Sequence, residues 1–367
     1  MKVVDLSSGV TPELRALLAL RFTRGLGSVR IKALADELGS AEAALAASRP
    51  QLAQVSGLDR ATIAGIGAQE AWERADEELR RARMVGVSLL GVTDPAYPVP
   101  LRALYDPPPV LWARGDLKGL AALAGADARS IGIVGTRRCT PQGLAFTELL
   151  ARGLASANVV VISGLARGID TAAHRAAVDA GGLSVGVLGC GADRIYPREN
   201  EELARRLIVL SEHPVGTPPE PHHFPPRNRI IAGLSQGIVV VEAGEKSGAL
   251  ITAANAREAG RVVFAVPGRP VDPTAAGPND LIRDGAVLTR NAQDILDEFV
   301  WMAGPARLDP LLEGREALVY KALRGDLLLD DVVAACGLSA AEALQALMML
   351  TLAGHARELP GGRYTRS

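Results

Sequence analysis

The sequence predicts an α/β protein built on a parallel sheet covered by helices on both faces, with a helical region in front of it and a small helical unit behind. Three observations predict this. Short, nearly unbroken Val/Ile runs recur between residues 130 and 268. Amphipathic helical stretches separate them. Before about residue 82 the apolar residues follow a helical period and never alternate. Strands buried on both faces read as continuous apolar runs, whereas a half-exposed sheet alternates apolar and polar positions. The central architecture is therefore expected to be a Rossmann-like doubly wound domain.

Residues 1–82 contain two glycine-turn-helix units, GLGSVRIKAL at 25–34 and VSGLDRATIAGIG at 55–67. Such pairs resemble SAM-like or helix-hairpin-helix modules, in which amides at a glycine turn can hold a phosphate. With one Lys and few Arg nearby, a plain bundle that uses Gly as a helix stop is the better reading. The α/β domain is placed at 83–303. It begins with VSLLGV at 87–92 and a proline-rich connector, TDPAYPVPLRALYDPPPVLWARG, read as an ordered extension. Strands are expected in SIGIVG (130–135), VVVIS (159–163), SVGVLG (184–189), LIVLSE (207–212), GIVVVEA (237–243) and RVVFAVPG (261–268). Residues 304–312, rich in Gly and Pro, read as a linker. Helices at about 313–324, 328–336 and 339–353 followed by the hairpin GHARELPGGRYTRS give 313–367 the pattern of a winged helix. Its third helix carries no Arg or Lys, so it is not expected to read bases.

Composition sets limits. The 367 residues are 48% hydrophobic and 22% charged, no run reaches the roughly 18 apolar residues of a membrane span, and the start has no secretion signal, so a cytoplasmic protein is expected. Cys139, Cys190 and Cys336 are widely spaced, which argues against a disulfide framework and a zinc site. With a net charge of −1, any affinity for nucleic acid must come from a local patch.

The chemistry concentrates in residues 222–255, HHFPPRNRIIAGLSQGIVVVEAGEKSGALITAAN. Phe224 and two prolines lead into Arg227, Asn228 and Arg229 at a helix entrance. A strand follows, then Glu242, Lys246 and Ser247. In an open parallel sheet, ligands lie beyond the carboxyl ends of the strands, where helix amino termini offer free N–H groups. Two further strand ends carry Thr136-Arg137-Arg138 and the segment Gly164 to Asp170. Arg137 is placed in the ligand crevice, whereas Asp170 reads as a helix cap with His174 its solvated i+4 partner. GCGADR is only a partial dinucleotide fingerprint, and Glu245 breaks the spacing a P-loop would need before Lys246. Glu212 and Glu242 end strands and could act as an acid/base pair, although carboxylates there also cap helices or hold an Arg. No catalytic or metal-spaced cluster specifies a reaction.

The ordered motifs IVGTR (133–137), SGLARGID (163–170), VLGCGADRIYP (187–197), SEHP (211–214), FPPRNRIIAGLS (224–235), EAGEKSGALITA (242–253), PG (267–268) and NDLIRDGA (279–286) resemble the DprA/Smf family of natural transformation. Two departures are Gly277-Pro278-Asn279 for the usual Gly-Thr-Asn, and Pro141-Gln142-Gly143 where the family has Tyr-Gly. The resemblance implies a single-stranded DNA-binding protein rather than an enzyme. It would need no cofactor or metal, and would load RecA onto incoming DNA coated by single-strand-binding protein. It carries a DNA-binding role onto Arg137, Ser163, Gly164, Phe224, Arg227, Asn228, Arg229 and Lys246. Arg167 and Arg198 add cations on neighbouring loops. Sequence-tolerant binding of a single strand needs such cations along the phosphates and an aromatic face for a base. The family also implies a homodimer, for which Leu281, Ile282, Val287 and Leu288 are the expected interface. A phosphoribohydrolase-type nucleotide enzyme and a protein scaffold are the rival readings. Against the first, the PGGxGTxxE signature is absent, the nearest stretch being PGRPVDP.

Overall fold

The computed structural model describes residues 10–125, 128–299, 301, 312, 314–323, 327–353, 355–359 and 361–366. The expected linker at 304–312 lies outside these, apart from Leu312. The chain forms two compact units, one through Trp301 and one from Met302.

The first unit opens with helices Pro12–Phe22, Ser28–Leu38, Ala41–Ala46, Arg49–Leu52, Arg60–Gly65 and Gln69–Met84. Local signals start and stop them. The Thr11 side chain accepts from Leu14 N ahead of Pro12, Asp59 caps the fifth helix through Thr62 N, and Gly39 ends the second in the left-handed conformation at φ 94°. At the first glycine turn Arg30 Nη1 donates to Gly25 O, so this backbone is engaged by its own chain. The apolar faces of these helices bury Leu17, Leu18, Leu20, Ile31 and Leu34 together with Val110 and Trp112 of the sheet. Glu78, also buried, accepts from Trp112 Nε1 and Val215 N, both at 2.7 Å. The helical front and the sheet therefore share one core.

The sheet has nine strands: β1 Ser88–Gly91, β2 Val110–Arg114, β3 Ser130–Val134, β4 Val160–Ser163, β5 Ser184–Leu188, β6 Ile208–Ser211, β7 Gly237–Val240, β8 Val262–Ala265 and β9 Val287–Leu288. Their order is β1-β2-β6-β5-β4-β3-β7-β8-β9. From β6 to β9 every pairing is parallel, and the six strands read from the apolar runs are all present. The connector is more than an extension: its last residues form β2, antiparallel to β1 and β6, so the sheet is mixed at this edge. Three prolines directly before β2 mask the strand in sequence. They are held by Tyr97, whose hydroxyl donates to Pro108 O at 2.8 Å. Because β4 and β7 flank β3, the strand order reverses there, and the crevice opens at the carboxyl ends of β3 and β7.

The second unit has helices Gly314–Ala322, Leu329–Cys336 and Ala340–Leu352 and a sheet ordered β10 (Leu327–Leu328), β12 (Arg363–Arg366), β11 (Ala356–Leu359). Val319, Leu323, Val332, Leu347 and Leu350 form its core. A capping box of Ser339 and Glu342 starts the third helix, which leaves Leu344, Met348, Met349 and Leu352 exposed. This is a winged helix. Among the described residues no single helix is long and apolar enough to cross a membrane.

Candidate functional site

A cleft of about 580 Å³ lies at the reversal point. Thr136, Arg137 and Arg138 enter it from the loop after β3, Ala166 and Asp170 from the turn after β4, and Tyr196 from the loop after β5. Phe224, Arg227 and Asn228 come from the helix Phe224–Leu234, and Ser247 and Thr252 from the start of the helix Gly248–Glu258. A smaller hollow next to it is lined by Arg137, Gly164, Arg167, Tyr196 and Phe224.

Phe224 is the first residue of its helix, because Pro225 and Pro226 fit a first turn that needs no N–H donors. The sequence reading started this helix later, so the Arg-Asn-Arg triplet lies inside it rather than at its entrance. The Phe224 ring is half-buried, 5.9 Å from the Tyr196 ring, with the guanidiniums of Arg137 and Arg227 at 5.6 and 5.8 Å from its centroid. Gly189 leaves room for it, since a Cβ there would stand 3.1 Å from Phe224 Cδ1.

Arg227, expected to meet a phosphate, lines the cleft but is largely engaged by the protein itself. It is 4% exposed, its Nη1 donates to the carbonyls of Gly164 and Val187, and its Nε donates to Asn228 Oδ1 at 3.2 Å. Its fork is committed to carbonyls at the ends of β4 and β5, and a Cβ on Gly164 would stand 2.6 Å from the guanidinium, so a side chain there would displace it. Burial lowers the Arg227 pKa to about 10. Asp170 lies in the same buried layer and accepts from Gly164 N at 3.1 Å and Ala166 N at 3.4 Å. Desolvation pushes its carboxyl up to about 6, with Arg227 pulling the other way.

Four more expectations change on inspection. Asp170 sits inside the first turn, while Gly168, at φ 75°, holds the cap position ahead of Ile169. His174 is fully buried, not solvated, with Nδ1 2.7 Å from Ser184 Oγ, and burial takes its pKa down to about 3. Ser163 is buried and donates to Ile133 O at 2.6 Å, out of the cleft. Arg229 turns away from the cleft towards two partly buried carboxylates, 2.9 Å from Asp106 and 2.6 Å from Glu212.

The remaining cations lie around the cleft. Arg137 and Arg138 line it. Arg167 is exposed but clamped on Glu199 by two bonds of 2.5 and 2.8 Å, and Arg198 and Lys246 are exposed outside the lining. Asn228 stays in the cleft wall, its Nδ2 donating to Gly248 O at 3.2 Å. Glu242 accepts from Thr140 N at 2.9 Å and Thr140 Oγ1 at 2.5 Å, holding the start of the helix Pro141–Ser156. Glu212 thus holds an Arg and Glu242 the start of a helix, the other roles open to strand-end carboxylates. Arg138, Tyr196, Ser247 and Thr252 are cleft residues that the sequence reading left out of the site. Arg138 carried a signal as the second Arg after a strand end, and Ser247 as the residue after Lys246.

Of the expected dimer patch, Leu281 is 9% exposed and packs in the chain's own core, so it is not available to a partner. Ile282 is half-buried against that core and Val287 is half-buried, while Leu288 is 42% exposed on the edge strand β9.

Fold and cleft together define a Rossmann-like protein with its ligand crevice at the sheet's reversal point and a winged helix at its carboxyl end. Residues 88–300 match the model of DNA recombination-mediator protein A, and residues 303–362 match the DprA winged helix domain. The chain belongs to the DprA family. It is 44% identical over 235 residues to the DNA processing protein DprA of Bacillus subtilis, covering 63% of this chain and 77% of that one. It is 38% identical to protein Smf of Escherichia coli over 285 residues, 72% and 74% of the two chains. Among solved structures, DprA of Streptococcus pneumoniae superposes with a TM-score of 0.67 at 34% identity, over 79% of this chain and 98% of that one. DprA of Helicobacter pylori, described for its single-stranded DNA binding mode, gives 0.51 at 30% identity over 58% and 95%.

Proposed function

We propose that this chain is a cytoplasmic recombination mediator that binds single-stranded DNA in the cleft, protects incoming DNA during natural transformation and loads RecA onto it, acting by binding and without turnover. One observation carries the reading: an aromatic ring, Phe224, lies in the same cleft as Arg137 and Arg138, in a family whose Helicobacter pylori member is described as binding single strands. A base can stack on the ring while the arginines meet phosphates, an arrangement that tolerates any sequence. The side chain of Asn228 shapes the wall, backbone at Gly164 lines the hollow beside it, and Arg167, Arg198 and Lys246 extend the positive surface beyond. Single-strand-binding protein is the expected competitor on the DNA, and a homodimer through the β9 edge would place two clefts on one strand.

The test is fluorescence anisotropy with single- and double-stranded oligonucleotides of mixed sequence across salt, for the wild type and Arg137→Ala. Preference for single strands, weakened by the substitution equally for all sequences, is expected. Equal affinity of Arg137→Ala and wild type would remove the cleft from DNA binding. Nucleotide turnover by the purified chain would favour the enzyme reading instead.

A further inference from the structure

Between β6 and the helix Phe224–Leu234 the chain places His213, His222 and His223, three of its five histidines. The last two lie in a short turn, Pro221–His223, directly after Glu220. Glu220, His222 and His223 each bring one ligand atom into a group whose members lie within 4.8 Å of one another. His222 Nδ1 stands 3.4 Å from Glu220 Oε2. Two donors on a tetrahedral zinc with bonds of about 2.1 Å are separated by roughly the same distance. A second observation points independently to a ligand: His223 Nδ1 is buried and has no hydrogen-bond partner, a costly state for an imidazole nitrogen unless something else meets it. Pro218, Pro219 and Pro221 bracket Glu220 and limit the backbone freedom that a bound ion would otherwise have to remove.

We propose that Glu220, His222 and His223 form a site for a divalent transition metal of the zinc class, with a coordination position left open. Two imidazoles and one carboxylate suit zinc, nickel or copper and are a poor set for magnesium or calcium, which prefer oxygen donors. Pro219 and Pro221, on either side of Glu220, line the cleft, so an ion here adds positive charge at its rim. His213, whose ring lies 4.3 Å from that of His223, packs against the group without belonging to it.

The experiment uses the untagged full-length chain, stripped with EDTA and titrated without DNA. Zinc chloride is followed by calorimetry and cobalt chloride by visible absorption. One equivalent of zinc per chain with micromolar or tighter affinity is expected. His222→Ala, a change at an exposed side chain, should lower zinc affinity at least tenfold and abolish the cobalt bands, as should Glu220→Gln, while His355→Ala should change neither. No uptake at micromolar zinc, or uptake unchanged by His222→Ala, overturns the site. Because no DNA is present, either result is separate from the success or failure of the DNA-binding reading.

Discussion

Arg137 and Arg227 both sit against Phe224, yet they answer to different physics. The Arg227 guanidinium is buried on two carbonyls, so Arg227→Ala leaves Gly164 O and Val187 O unpartnered and Asp170 without its nearby cation. A loss of about 2–4 kcal/mol in urea unfolding is expected. Arg137→Ala should unfold within about 0.5 kcal/mol of the wild type and show its effect only in DNA affinity. Phe224→Ala should cost about 1–3 kcal/mol of binding if a base stacks there; a lowered melting temperature with unchanged affinity would make the ring a packing residue. Asp170 supplies a pH test. Its folded pKa of about 6 lies above the unfolded value of ~3.9, so between these the folded state holds the extra proton. Its contribution to stability therefore grows as pH falls from about 6 towards 4. The stability difference between wild type and Asp170→Asn, followed by urea titration across that window, should move in the wild type's favour as pH falls. A flat difference would mean the carboxyl is not desolvated as the structure has it.

The parallel strands were legible because burial on both faces leaves short Val/Ile-rich runs, too short for helices and separated by amphipathic stretches. β2 was not, because Pro107, Pro108 and Pro109 look like a strand's refusal when they only delay its start. The cleft's cations could be counted in the sequence, but their directions could not. Arg229 and Arg227 flank Asn228 in one helix, and whether an arginine meets solvent or a carboxylate depends on Glu212 in the preceding strand-end loop and on Asp106, far away in the chain. The glutamate, two histidines and intervening proline at 220–223 match no familiar metal spacing, so the cluster emerged only in three dimensions. Glu242 belongs to the same class of long-range partner. Removing it in Glu242→Ala should cost about 1–2 kcal/mol, since Thr140 and the helix it starts lose their acceptor, and thermal unfolding measures this. In the winged helix, the third helix presents leucine and methionine outward where a base reader would present donors. Deleting 302–367 should leave single-strand affinity within tenfold, and a larger loss would give the hairpin arginines a share in binding.

At the scale of the molecule, a net charge of −1 provides no general attraction for DNA, so binding through the cleft should carry the salt signature of a few contacts. The expected slope is about −0.7 per phosphate neutralised on a single strand. The assembly prediction narrows to the edge of the sheet. With Leu281 already covered, Leu288 is the exposed apolar residue of β9, and Leu288→Glu should convert a dimer to a monomer in sedimentation without lowering the melting temperature. It should also flatten the dependence of affinity on oligonucleotide length. A variant that stays dimeric would move the interface away from β9.

The bond from Trp112 to Glu78 also makes the seam between the helical front and the sheet optically visible. The indole is wholly enclosed, while Trp72 is partly buried beneath Arg15 and Trp301 is stacked on Phe299. With those two changed to phenylalanine, Trp112 becomes the sole fluorophore of its kind, and its emission should be blue while the helices sit on β2. Any step that lifts them off, whether heat, denaturant or a partner prising the seam open, would wet the indole and shift its emission to the red before the parallel strands come apart.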